Sequence, residues 1–73
     1  MIEVEYCKPL REIVEHELFF ILDGKHEMTY YVEEVDGYVI SYSQLHTETS
    51  THANSLTNEQ RIEIDNFIHD YKF

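Results

Sequence analysis

One cysteine, one proline, two glycines and no tryptophan stand in 73 residues, and each scarcity removes something. With Cys7 alone no internal disulfide can form, so a reducing compartment is the expectation. Two glycines, each beside an aspartate, leave none for a phosphate-cradling loop, and neither GxGxxG nor a P-loop occurs. Cations are the scarcest charge: five Lys or Arg face fifteen Asp or Glu, a formal net charge of −10. A field of that sign repels nucleic acid and anionic membranes and attracts basic surfaces. No apolar run approaches the roughly 20 residues that span a bilayer, and MIEVEY carries carboxylates where a signal peptide needs positive charge. The chain therefore reads as soluble and cytoplasmic, binding neither nucleic acid nor membrane directly.

What is present argues for a folded domain. Residues are 42% hydrophobic and 14% aromatic, too apolar for a disordered segment despite the charge. A chain of 73 residues has room for one core and buries only about 60% of the surface its unfolded form exposes, which leaves self-association as a source of stability. The charge is uneven. Residues 1–37 hold ten acids and three bases (net −7), residues 38–73 five acids and two bases (net −3).

Along the chain, Ile2, Val4 and Tyr6 alternate with Glu3 and Glu5, the period of a half-buried strand. Pro9 suits the first turn of a helix, Leu10, Ile13, Val14 and Leu18 share a helical face, and Arg11 and Glu15 are spaced as an i,i+4 pair. A short helix from Pro9 to about His16 is the expectation. Leu18–Leu22 is apolar all round and closed by Asp23-Gly24, which suits a central strand covered on both sides or a continuing helix capped by Gly24. Asp36-Gly37 repeats the turn signal, so three strands follow as a meander, about 18–22, 26–34 and 38–45.

A two-residue loop at Asp36-Gly37 would set Val35 against Tyr38 and Val32 against Ser41, mixing polar and apolar partners. A three-residue loop, Val35-Asp36-Gly37, sets Val32 against Ile40, Tyr30 against Tyr42 and Met28 against Gln44. It is preferred because it gathers Met28, Tyr30, Val32, Ile40 and Tyr42 on one core face, leaving Thr29, Tyr31, Glu33, Val39, Ser41 and Ser43 outside, and it sets Tyr38 opposite Glu34 on the core side. After the Ser/Thr-rich stretch LHTETSTHANS, Thr57 and Gln60 form a capping-box pair with Glu59 in the first turn. Leu56, Gln60, Ile64, Phe67, Ile68 and Tyr71 then line one face of a helix from about Asn58 to Tyr71. The fold class is α+β: a three- to four-stranded antiparallel meander packed on a C-terminal helix, with a short helix after Pro9, in one domain.

Chemistry is thinly represented. His46, Glu48 and His52 are zinc-ligand types, but their spacing matches no helical HExxH, and loop histidines beside hydroxyls occur by chance. Cys7, before Lys8 and a helix start, could be an activated thiol, yet no histidine is marked as its base and a lone cysteine more often packs as a small hydrophobe. The pairs Glu33-Glu34 and Glu15-Glu17 lack a substrate clamp, and read as solvated faces. No catalytic, cofactor or metal residue is assigned.

The acids carry the functional content. Glu3 and Glu5 project about 7 Å apart from one side of a strand, and Glu59 and Glu63 neighbour each other on the helix. Rows of this kind can imitate a phosphate backbone, or can simply keep an aromatic-rich domain soluble. The partner-binding residues expected are Tyr31, Glu33, Glu34, Asp36 and Tyr38, around the second turn. The leading reading is a small non-enzymatic module docking on a basic surface of a protein, an inhibitor of a nucleic-acid-binding enzyme in its sharpest form, by analogy with acidic inhibitors from phage and other mobile elements. The alternative is a homodimeric regulatory or structural subunit joined through its exposed sheet face or an edge.

Overall fold

The computed structural model describes residues 1–9 and 15–73. Four strands, β1 (Ile2–Pro9), β2 (Glu15–Leu22), β3 (His26–Val35) and β4 (Tyr38–Leu45), form one antiparallel sheet in chain order. A single 3₁₀ turn at Ala53–Ser55 leads into helix α1, Asn58–Asp70, which closes one face of the sheet. The α+β meander with its C-terminal helix thus stands, with four strands.

The helix expected from Pro9 to about His16 is strand at each of its described residues: Pro9 ends β1, and Glu15 and His16 open β2, while residues 10–14 lie outside those described. The sequence of β2, EHELFFIL, has period two from its first residue. His16, Leu18, Phe20 and Leu22 are buried, while Glu15, Glu17, Phe19 and Ile21 are half-buried on the other side. Alternation this regular decides between strand and helix at 18–22. It also corrects the expectation of cover on both sides, since only the inward row is sealed.

The second hairpin departs from the expected register. Asp36 and Gly37 both have positive φ, +52° and +86°, and Val35 pairs with Tyr38 across a two-residue loop. Aspartate tolerates the left-handed region, and two such residues make the type I′ turn whose twist matches the flanking strands. A bulge follows: Glu34 pairs with Val39 but Glu33 with Ser41, which leaves Ile40 out of the ladder and 62% exposed. Beyond it Val32 pairs with Tyr42 and Tyr30 with Gln44, a slip of two residues from expectation. A slip of two keeps each side chain on its face, so Tyr42 stays with the core. Ile40 leaves the core face, and Val39, expected outside, packs against the core.

In β1 a second bulge falls between Val4 and Tyr6. Tyr6 therefore sits beside Phe19 on the face opposite α1, not on the core side with Ile2 as its alternation implies, and Cys7 turns inward opposite Leu18. The core comprises Leu18, Phe20, Leu22, Met28, Tyr30 and Val32 of the sheet with Leu56, Ile64 and Ile68. Phe20 is its centre, stacked on Tyr30 at 5.7 Å and edge-on to Phe67 at 5.5 Å. Thr57 caps α1 as expected, its hydroxyl accepting from the Gln60 N–H while the Gln60 side chain accepts from the Thr57 N–H. Among the described residues no helix is long and apolar enough to cross a membrane.

Candidate binding face

Because α1 takes one face of the sheet, the side chains alternating with the core rows form the other. Opposite residues in neighbouring strands lie on the same face with Cβ atoms about 5 Å apart, so the register maps it. Glu3 faces Ile21 and Ile21 faces Glu27; Tyr6 faces Phe19 and Phe19 faces Thr29; Glu17 faces Tyr31; Glu15 faces Glu33. Five glutamates, Glu3, Glu15, Glu17, Glu27 and Glu33, thus share one face with Tyr6, Phe19, Ile21 and Tyr31. Hydrogen bonds fix part of it. The Tyr6 hydroxyl donates to Glu17 Oε2 at 2.6 Å, which raises that phenol's pKa, and the Ser41 hydroxyl donates to Glu33 Oε1 at 2.7 Å. The Tyr6 ring stands edge-on to Phe19 at 5.5 Å. At the far end a shallow cleft of about 220 Å³ opens between Tyr6, Phe19, Glu27 and Thr29 of the sheet and Thr47, Thr49 and Ser50 of the following connection.

The five expected contact residues divide. Tyr31 and Glu33 lie two apart on this face, and Tyr38, 77% exposed, continues it past the turn where Asp36 is exposed. Tyr38 faces Val35 on the outer face, not Glu34 on the core side as the three-residue loop implies, because the turn has two residues. Glu34 leaves the group: it is only 7% exposed on the core side. Its Oε1 meets His16 Nε2 at 2.9 Å and its Oε2 accepts from the Gly37 N–H at 2.9 Å. The His16 bond chiefly, then the Gly37 N–H, holds the Glu34 carboxyl below the usual carboxylate range. It is a structural group, joining β2 to the turn of the second hairpin. Glu15, Glu17 and Phe19 take its place on the face. Sequence reasoning missed them by assigning Glu15 to a helix, although the alternation beginning at Glu15 was the available signal.

The remaining candidates resolve simply. Cys7 is half-buried against the core, and burial pushes its thiol pKa up, the opposite of an activated nucleophile. His46 and His52 stack at 4.1 Å, but no group of three His, Cys, Asp or Glu could hold a metal ion among the described residues. No protein family, curated protein or solved structure matches the chain.

Proposed function

We propose that the chain is a non-enzymatic binding module whose sheet face opposite α1 docks on a basic surface of a partner protein, acting as an inhibitor. The observation that carries this is the register, which collects five of the fifteen acids beside Tyr6, Phe19 and Tyr31 on one face. Glutamates steer a basic partner and fix its orientation, while half-buried rings supply contact area at low entropic cost. Glu15 and Glu33 stand directly opposite each other, so this face presents two carboxylates together.

Size adds a requirement. Four strands at about 4.8 Å spacing and eight residues at about 3.3 Å rise give a projected face near 500 Å². A standard interface takes about 800 Å² from each partner, so contact must continue over the turn, which brings Asp36 and Tyr38 into it. Among basic surfaces a nucleic-acid-binding groove fits best, because it is built to receive closely spaced negative charges over such a length.

The test is affinity capture with the wild-type chain and a Glu15→Lys/Glu33→Lys variant in parallel, at low and high salt. Basic proteins retained by the wild type, lost from the variant, eluted by salt and displaced by added duplex DNA support the reading. The same proteins held by both chains, or retention indifferent to salt, would refute it.

A further inference from the structure

The two edges of the sheet differ in kind. β1 carries Glu3 and Glu5 and is interrupted by its bulge, both of which discourage another strand from pairing there. β4, YVISYSQL, contains no charged residue and no proline, and its side chains Tyr38, Ile40 and Leu45 are 77%, 62% and 38% exposed. Its backbone pairs with β3 alone among the described residues, and no turn or loop backbone bond reaches it. The outer N–H and C=O groups of an eight-residue strand are therefore open to a further strand, with only the bulge at Ile40 interrupting them.

Charge selects the occupant. A basic segment finds no carboxylate on β4 to answer it, and like charges placed opposite each other weaken a pairing. The other strands of this chain all carry acids: Glu3 and Glu5, Glu15 and Glu17, and Glu27, Glu33 and Glu34. β4 is the one strand here that can lie against a copy of itself with no charges opposed at any register. We propose that β4 pairs antiparallel with β4 of a second copy about a two-fold axis, joining two sheets into one of eight strands. The arrangement closes on itself, because each copy has one such edge. It also leaves the acidic face uncovered, with the two patches side by side.

The nearest carboxylates set how the dimer responds to salt. Glu33, on β3, accepts from Ser41, and Asp65, on α1, accepts from the Tyr42 hydroxyl and lies 3.5 Å from His69 Nδ1. Two copies of net charge −10 repel, so screening strengthens the dimer, whereas it weakens docking on a basic partner. A small interface of this type is weak, with a dissociation constant on the order of 100 µM.

Sedimentation equilibrium of the full chain from micromolar to millimolar concentration, at 0.05 and 0.5 M salt, tests the proposal. The mass should rise to twice the monomer's, at least tenfold lower in concentration at the higher salt. An Ile40→Lys/Ser43→Lys variant, altered at two exposed positions, should keep the wild-type circular dichroism and melting temperature but stay monomeric throughout. A wild type that remains monomeric at 1 mM in 0.5 M salt overturns the proposal. So does a variant that dimerises as the wild type does, or growth past the dimer. None of these results bears on capture of a basic partner, so the two readings fail separately.

Discussion

Replacing Tyr42 by phenylalanine removes one oxygen at the point where β4 is tied to α1. The Tyr42 hydroxyl donates to Asp65, and its ring stands edge-on to Tyr30 at 5.7 Å and to His69 at 5.8 Å. Burial first, and the Asp65 carboxylate second, push the phenol from its ordinary 10.0 up to about 12. Each tenfold step in the proton equilibrium is worth about 1.4 kcal/mol, so two steps correspond to about 2.7 kcal/mol favouring the protonated phenol in the folded chain. Tyr42 is only half-buried, and solvent screening brings the usable figure nearer 1 kcal/mol. The sign follows from the direction. A group whose folded pKa is raised contributes its stability below the unfolded pKa of 10 and loses it as pH climbs through 12. Tyr42→Phe should therefore be about 1 kcal/mol less stable than wild type in urea titrations at pH 7 to 9. The gap should close between pH 10 and 12. Absorbance of tyrosinate offers an independent check, since the variant should lose one phenol from the late titration. A stability gap unchanged up to pH 12, or a late tyrosinate step of equal amplitude in the two chains, would refute the assignment. Tyr6, Tyr30 and Tyr71 also have raised values, which is why only the difference between the two chains is diagnostic.

Three further outcomes can be measured on the same material. Phe20→Ala removes the centre of the core and should cost about 3–5 kcal/mol, enough to abolish the cooperative thermal transition in a domain this small. Glu34→Gln should lower stability at pH 7, and by less as the pH falls below 4.5. The wild-type carboxylate, held below its ordinary 4.5 by His16 and the Gly37 N–H, contributes above that value and loses its contribution as pH falls through the folded one; guanidinium titrations at a series of pH values from 7 downward read the narrowing gap. Gly37→Ala places a side chain at φ +86°, where open space surrounds it but the backbone disfavours it, and should cost about 1 kcal/mol by thermal melting.

Much of the fold is legible before any coordinates. Asp23-Gly24 and Asp36-Gly37 mark the two hairpin turns, Thr57 and Gln60 mark the start of α1, and the apolar spacing through Ile64 and Ile68 marks the helix face that is buried. Each is a local signal, carried by a few neighbouring residues whose conformational preference survives any context. The partner of Glu34 was not legible. Alternation through Met28, Tyr30 and Val32 puts Glu34 on the core side and Glu33 on the other, but only the pairing of β2 with β3 sets the Glu34 carboxylate against His16. Tyr6 was misassigned for a related reason: one unpaired residue at the β1 bulge reverses the faces beyond it.

The sequence by itself determined the charge, the single core, the turns and the final helix, because composition and short-range propensity suffice for these. Tertiary structure alone decided which acids share a face and which strand is left as an uncharged edge. Both depend on register, and register is chosen by the bulges and the I′ turn acting together with burial of Leu18, Phe20, Tyr30 and Val32 beneath α1. A one-residue change there would move every carboxylate in a strand to the opposite side of the sheet.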